Sequence, residues 1–126
     1  MSYDLRIAVK VVGAEKDNEY AVIAEPEYHS PTYNIGVMFR KCTWWEFEQG
    51  VYYNVADVYP NIERGIINLT FHEDEFEKYN SPNGWGTTQS ALRALQSLKK
   101  CIDEIDDPNS CIGWNTFPKS VLYVAW

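Results

Sequence analysis

The sequence predicts an α+β fold in which a small antiparallel β-sheet packs on a helix layer, in the order β-β-α-α-α-β. Residues 3–12 alternate apolar and polar, residues 87–106 carry apolar side chains at helical spacing, and residues 121–126 are β-rich with apolar residues on both faces. Each element must bury an apolar face, and a helix layer on a sheet does so. Because no segment resembles a linker, we expect a single domain over residues 1–126.

The first quarter of the chain predicts a β-hairpin. Residues 3–12 place one apolar set on a single face, namely Leu5, Ile7, Val9 and Val11. Residues 13–18 are short and polar, which is typical of a turn, and residues 19–25 are again β-rich. Pro26 then ends the second strand.

Three helices are predicted next. The first starts at Ser30, Pro31 and Thr32 and is followed by an apolar set at helical spacing, namely Ile35, Met38, Phe39 and Cys42. Residues 44–53 predict an aromatic, structured loop, with a short strand as an alternative. Asn54 or Asp57 can cap a second helix, which is expected to begin near Asp57 because Pro60 is tolerated only close to a first turn. Residues 71–79 form a short helical turn. Thr87 or Thr88 caps the long third helix, which ends near residue 106.

Charge and cysteine content narrow the function classes. The formal net charge is −7, which disfavours DNA, RNA and anionic membranes as partners. No stretch approaches the roughly 20 apolar residues of a membrane span, and the first residues lack signal-peptide features, so we expect a cytoplasmic protein. Three cysteines in a reducing compartment are expected to be thiols. Cys42 and Cys101 fall on apolar helix faces, where burial is expected.

The chain shows no pattern of catalytic residues. It has two histidines, and neither has a partner at metal-ligand spacing, although His72 precedes three carboxylates in sequence. Nucleophile elbows and paired cysteine–histidine motifs are also missing from the sequence. We therefore expect no catalytic residue, no metal and no cofactor, and a protein that acts by binding.

A glycine-rich helix start is the first candidate binding site. It comprises Asn83, Gly84, Trp85, Gly86, Thr87 and Thr88, and Arg93 lies one and a half turns further on. Glycines let backbone N–H groups turn inward, and a helix start offers unpaired donors and the positive end of its dipole, which suit phosphate. Ordinary turn and cap chemistry explains the same residues.

Aromatic residues supply the second candidate site. The chain has five Trp, nine Tyr and five Phe, many for one small core. Because successive side chains of an extended segment face opposite ways, Trp44 and Trp45 cannot both enter the core. One of them, with Tyr53, is predicted to stack on a ligand or to anchor a protein partner, and a homodimer contact explains the pattern equally well.

Two acidic runs give the third candidate. The runs are residues 73–77 and the end of the long helix, with Asp103, Glu104, Asp106 and Asp107. Carboxylates at a helix C-terminus oppose the dipole by up to about 1 kcal/mol each. Mimicry of nucleic-acid phosphates against a basic groove would explain them, and so would ordinary surface variation.

Five stretches of the chain carry a likeness to known proteins: residues 3–10, 49–53, 62–66, 83–87 and 122–126. Together they resemble a family of small phage and prophage proteins of Gram-positive bacteria, over nearly the whole chain. The resemblance implies counter-defence in a host cytoplasm and assigns no role to a single residue.

We therefore expect a non-enzymatic protein that sequesters a nucleotide-derived immune signal, such as a cyclic dinucleotide or an ADP-ribose derivative. The phosphates would lie on the helix start, with Trp85 and one of Trp44, Trp45 or Tyr53 on the base. The alternative is an acidic inhibitor of a host defence nuclease or another basic partner. Open sheet edges also predict a homodimer or higher homo-oligomer.

Overall fold

The computed structural model describes residues 4–10, 20–26, 35–48, 50–82, 84, 86–106 and 121–125. The strands within these ranges are β1 (Asp4–Lys10), β2 (Tyr20–Ala24), β3 (Tyr52–Asn54) and β4 (Val121–Ala125). The helices are α1 (Gly36–Thr43), α2 (Val55–Phe71), α3 (Glu73–Phe76) and α4 (Thr88–Asp106). A 3₁₀ turn, Glu77–Tyr79, follows α3. The predicted α+β class is confirmed, and the element order is roughly the predicted one, with β3 added between α1 and α2.

The four strands form one antiparallel sheet in the order β2-β1-β4-β3. β1 and β2 form the predicted hairpin, and Arg6 of β1 pairs with Tyr123 of β4. β4 lies inside the sheet, as its two apolar faces predict. β3 adds a short edge strand beside β4, which agrees with the alternative of a short strand in the predicted loop.

One hydrophobic core lies between the sheet and the helices. The sheet contributes its inward-facing residues, namely Leu5, Ile7, Leu122 and Val124, and all are buried. The helices contribute their apolar stripes, among them Met38, Phe39, Val58, Ile62, Leu95, Leu98 and Ile102. Cys42 and Cys101 are buried in the same core, as their positions on apolar helix faces predict.

α2 begins at Val55, so the predicted start near Asp57 is wrong by two residues. The strand β3 ends at Asn54 and continues directly into the helix without a connecting loop. Pro60 therefore lies inside the helix and removes the N–H that would reach the carbonyl of Ala56. Both residues are exposed, so water can satisfy that carbonyl at little cost.

Of the other predicted helix boundaries, the structure describes those of the short helical turn and of α4. The predicted first-helix start at Ser30, Pro31 and Thr32 lies outside the described residues. The predicted short helical turn at residues 71–79 corresponds to α3 and the 3₁₀ turn. Thr87 caps α4, which ends at residue 106 as predicted, and its hydroxyl accepts a hydrogen bond from the Ser90 N–H at 3.2 Å.

Candidate functional site

Trp44 lies at the C-terminal end of α1 in the left-handed backbone conformation. Its φ is 63° and its ψ is 23°, and no other non-glycine residue among those described has a positive φ. This conformation costs an L-residue about 1–2 kcal/mol, and glycine is the usual residue here. The Trp44 side chain is 72% exposed. The Trp44 ring therefore gains little from burial at a position where glycine would fit the backbone better.

Side chains of α2 hold this end of α1 in place. The Asn61 amide donates to the carbonyl of Thr43 at 2.9 Å, and the Asn68 amide donates to the carbonyl of Cys42 at 2.8 Å. These bonds satisfy carbonyls that the end of a helix leaves unpaired. The guanidinium of Arg64 lies 4.5 Å from the centre of the Trp44 ring. Trp44 is therefore exposed but its position is fixed.

The outer faces of α1 and α2 form one partly apolar surface around this pair. We call it the α1–α2 surface, and it comprises Val37, Arg40, Lys41, Trp44, Arg64, Ile67 and Phe71. Ile67 is 53% exposed and Phe71 is 74% exposed, and both lie on the side of α2 that bears Arg64. Four of the six exposed large apolar side chains in the described residues belong to this surface. Most large apolar side chains of a folded protein are buried, so these four make the α1–α2 surface the candidate site.

Charged side chains of both signs lie on and around this surface. Arg64 lies over the Trp44 ring, and Arg40 and Lys41 precede Trp44 by about one turn of α1. Lys41 also lies over the Tyr79 ring at 5.4 Å. After Phe71, exposed carboxylates follow in α3 and the 3₁₀ turn, namely Asp74, Glu75 and Glu77, together with the exposed Lys78.

Trp45 and Tyr53, the other aromatic residues of the second predicted site, do not belong to the α1–α2 surface. Trp45 is half-buried, with its ring edge-on to Tyr53 at 5.8 Å. The Tyr53 hydroxyl accepts from the N–H of Glu48 at 2.8 Å and donates to the carbonyl of Glu46 at 3.1 Å. Burial raises the pKa of Tyr53. The expectation that one of the two tryptophans is exposed is confirmed, and Trp44 is the one.

In the glycine-rich loop before α4, backbone N–H groups donate hydrogen bonds to acceptors of the same loop. The N–H of Gly84 donates to the carbonyl of Ser81 at 3.0 Å, and the N–H of Gly86 donates to the Ser81 hydroxyl at 2.8 Å. Gly84 adopts a positive φ of 76°, which explains why glycine is present there. Asn83 and Trp85, which belong to the same predicted site, lie outside the described residues.

The first turn of α4 is capped in the same way. The N–H of Thr88 donates to the side-chain oxygen of Asn80 at 3.0 Å, and Thr87 bonds Ser90 as described above. Thr88 itself is buried, whereas Arg93 is exposed further along the helix. Four N–H groups that an anion would need at residues 84–90 are thus already bonded within the protein, which makes the loop a capping structure.

The acidic end of α4 carries a small ion and hydrogen-bond network. Asp103 accepts from the Tyr59 hydroxyl at 2.6 Å and from the Lys99 ammonium at 2.8 Å. These contacts raise the pKa of Lys99, mainly through its hydrogen bond to Asp103, whereas partial burial is the main reason that the pKa of Tyr59 is raised. Glu104 is exposed, and Asp107 lies outside the described residues.

An open groove of about 390 Å³ lies beside this network, between α2 and α4. It is lined by Ile66, Gln96, Lys99, Lys100, Asp103 and Glu104. Cations and carboxylates are present in equal number, so the groove has no charge preference for phosphate or for a basic partner.

Sequence analysis did not anticipate a tyrosine stack on the sheet. The ring centres of Tyr20 and Tyr52 are 4.0 Å apart, and those of Tyr52 and Tyr123 are 4.4 Å apart, with nearly parallel planes. The alternation of β3 directs Tyr53 to the core and Tyr52 to the opposite face. Partial burial raises the pKa of Tyr52. The three rings stack on one another, and this arrangement is consistent with a structural role in covering the outer face of the sheet.

Reactive groups are few in the described part of the chain. Burial raises the pKa of the Cys42 thiol to about 12 and that of Cys101 to about 11. Both thiols are therefore protonated and unreactive near neutral pH.

Among the described residues, no group of three or more histidine, cysteine, aspartate or glutamate side chains has the geometry to hold a metal ion. None of the described helices combines the length and apolar content that crossing a bilayer requires.

Comparison of the chain with protein-family models, with curated proteins and with solved structures finds no match. The resemblance to phage proteins therefore stays a hypothesis from sequence.

Of the seven residues of the α1–α2 surface, only Trp44 was predicted as a site residue from the sequence. Ile67 and Phe71 are apolar but fall off the helical stripe that α2 buries, which runs through Val58, Ile62 and Leu69. An apolar residue off the buried stripe is the pattern that would have found them.

Proposed function

We propose that this protein is a non-catalytic binding protein that engages a protein partner through the α1–α2 surface. The observation that carries the proposal is Trp44, whose backbone conformation and exposure both oppose the presence of a large apolar residue. Unfavourable backbone conformations concentrate at functional sites, where the residue is kept for what its side chain does.

The composition of the surface supports a protein as the partner. Tryptophan, phenylalanine and arginine are enriched at the centres of protein interfaces and supply most of their binding energy. Here Trp44, Phe71 and Arg64 occur together on two packed helices. Because Asn61 and Asn68 fix the end of α1, little conformational entropy is lost when a partner binds.

Capture of a nucleotide signal has less support from the geometry. It requires free donors at residues 84–88, and the N–H groups of Gly84, Gly86 and Thr88 bond within the protein. Of the three rings that could stack on the base beside Trp85, Tyr53 hydrogen-bonds residues 46–48 and Trp45 is half-buried, so only Trp44 is exposed. A ligand would have to replace these hydrogen bonds before gaining its own.

In the phage setting that the resemblance implies, the partner would be a host defence protein. The cations around Trp44 favour a contact segment that is acidic and carries an apolar anchor, whereas the acidic-inhibitor alternative requires a basic groove. Charge reversal distinguishes the two. Arg40→Glu should weaken binding to an acidic segment, and Glu104→Lys should weaken binding only if the α4 end makes the contact.

The test is partner capture with surface variants. The immobilised chain is incubated with host lysate, captured proteins are identified by mass spectrometry, and each is then purified and titrated by calorimetry. Trp44→Ala and Phe71→Ala are each expected to weaken the true partner at least about tenfold, the scale of an interface hot spot. Val22→Ala is the matched control, since Val22 is exposed on the sheet and away from the surface.

The proposal is wrong if the purified partner binds Trp44→Ala and Phe71→Ala as tightly as the wild type. It is equally wrong if no partner binds and the purified protein retains a nucleotide by native mass spectrometry.

A further inference from the structure

We propose that Tyr20, Tyr52 and Tyr123 form a site of oxidative modification, at which a one-electron oxidant joins two of their rings through an intramolecular dityrosine bond. The co-reactant is a strong oxidant of the class that peroxidases and photo-activated metal complexes supply. The site lies on the sheet face that points away from the core, so its chemistry does not depend on the function proposed for the α1–α2 surface.

The three rings are already in contact. The ring centres of Tyr20 and Tyr52 are 4.0 Å apart at an interplanar angle of 18°, and those of Tyr52 and Tyr123 are 4.4 Å apart at 16°. Tyr53, by contrast, lies edge-on to a tryptophan and a phenylalanine, and Tyr79 lies beside a phenylalanine. Tyr52 therefore has a second phenol on each side of its ring, within the range from which two rings can couple.

The sheet brings these rings together from distant parts of the chain. Tyr52 in β3 is paired with Tyr123 in β4, whereas Tyr20 lies in β2 at the opposite edge of the sheet. Ala8 of β1 and Val121 of β4 are paired with each other on the same face, and both are buried. The rings of Tyr20 and Tyr52 therefore meet across the two inner strands.

The coupling chemistry needs only the phenols and the oxidant. Tyr52 is 39% exposed, so an oxidant in solution can reach its ring. Each oxidation removes one electron from a phenol and releases its hydroxyl proton to water, which leaves a phenoxyl radical. The ortho carbons of two such radicals form a C–C bond, and the hydrogens on these carbons then move to the oxygens and restore both phenols. One cross-link thus consumes two equivalents of oxidant and releases two protons.

The stacked rings must turn before they join, because the new bond lies in the plane of each ring. Tyr52 can turn, since it is partly exposed on an edge strand of only three residues. Proximity favours coupling within one molecule over coupling between molecules. Even a flexibly tethered group has an effective concentration on the order of 1 mM, about a hundredfold above a protein solution of about 10 µM.

The cross-link has a structural consequence. A bond between Tyr20 and Tyr52 joins the two edge strands of the sheet, and a bond between Tyr52 and Tyr123 joins β3 to β4. Either bond closes a loop of the chain and restricts the unfolded state, as a disulfide does. The oxidised monomer is therefore expected to unfold at a higher urea concentration than the untreated protein.

The test is photo-oxidation of the purified full chain with tris(bipyridine)ruthenium and persulfate. The monomer fraction is examined for dityrosine fluorescence, and mass spectrometry of proteolytic peptides locates the bond. The wild type should give a monomer lighter by two hydrogen atoms, with Tyr52 in the linked peptides. Tyr52→Phe should lower the yield at least about tenfold, because phenylalanine keeps the ring but forms no phenoxyl radical and only slower coupling remains.

Three further variants locate the pair. Tyr20→Phe and Tyr123→Phe each leave Tyr52 with one neighbour and should retain part of the yield. Tyr79→Phe is the matched control and should leave the yield unchanged, since this ring lies outside the stack. Wild type unfolded in urea keeps every tyrosine but loses the stack, so its yield should fall at least about tenfold.

Three results would overturn the proposal. They are a monomer without dityrosine, a cross-link that maps to tyrosines outside the stack, and an equal yield from the folded and the urea-unfolded chain. An unchanged yield in Tyr52→Phe has the same meaning as the second result. None of these results bears on partner binding through Trp44.

Discussion

Gly65 should not tolerate alanine, although alanine is the better helix former. Gly65 lies in α2 where the helix crosses α1 and α4. A Cβ atom added there would come within 2.6 Å of the Thr43 methyl group and 2.7 Å of a Leu95 methyl group. Both distances are shorter than real contacts, so neighbouring atoms must move.

The magnitude follows from two opposing effects. Alanine gains about 1 kcal/mol over glycine in a helix interior. Overpacking a core typically costs about 1–3 kcal/mol, and two simultaneous clashes place Gly65→Ala in the upper part of that range. The expected net loss of unfolding free energy is therefore about 1–2 kcal/mol, or a fall in Tm of roughly 4–8 °C. Urea unfolding followed by tryptophan fluorescence measures it.

A second variant isolates the cause. Thr43→Ser removes the clashing methyl group but keeps the hydroxyl, which donates to the carbonyl of Phe39 at 2.5 Å. The double variant should lose less stability than the sum of the single variants. Thr70→Ala, exposed in the same helix, should stabilise by a few tenths of a kcal/mol and serves as the propensity control. If Gly65→Ala stabilises the protein as Thr70→Ala does, then α1, α2 and α4 do not pack tightly around Gly65.

Further predictions concern caps and titration. Trp44→Gly should be about 1 kcal/mol more stable than Trp44→Ala in urea, since both lack the ring and only glycine is relaxed at positive φ; equal stability would contradict the left-handed conformation. Because the pKa of Cys42 is raised from 9.0 to about 12, its contribution to stability is complete below pH 9 and is lost as the pH rises towards 12. Wild-type stability should therefore fall more between pH 8 and pH 10.5 than that of Cys42→Ala, and parallel profiles would exclude a buried thiol. Asn80→Ala and Thr87→Ala should each cost about 1 kcal/mol through lost caps of α4, and inorganic pyrophosphate should leave the wild-type Tm unchanged. A rise in Tm that Thr87→Ala abolishes would support the phosphate site instead.

Periodicity in the sequence was sufficient to predict the α+β class, the hairpin, the long helix α4 and the inner position of β4. Each of these elements has a repeating apolar pattern, and such a pattern follows directly from the periodicity of a helix or a strand. The start of α2 was missed because Pro60 is usually near a first turn, whereas here its missing N–H faces solvent.

The candidate site was only partly predictable. Alternation showed that one of Trp44 and Trp45 must be exposed, but which one depends on the left-handed turn at Trp44. The pairing of Trp44 with Arg64 joins residues 20 apart in sequence through the packing of α1 on α2, which no local pattern encodes. The glycines at positions 84 and 86 were correctly placed at a turn before a helix, yet their donors are used by Ser81, a partner that spacing alone does not reveal.

The direct passage from β3 into α2 bears on how fast a partner can be recognised. Tyr52–Asn54 is anchored in the sheet by pairing with β4, and Val55–Phe71 follows it with no intervening residue. The first residue of α2 is therefore held by the sheet. The helix that carries Arg64, Ile67 and Phe71 has no flexible link to the sheet at this end. If a partner binds this surface as proposed, its association needs no slow rearrangement of α2, and the expected rate lies in the ordinary range of about 10⁵–10⁷ M⁻¹s⁻¹ that diffusion and orientation set.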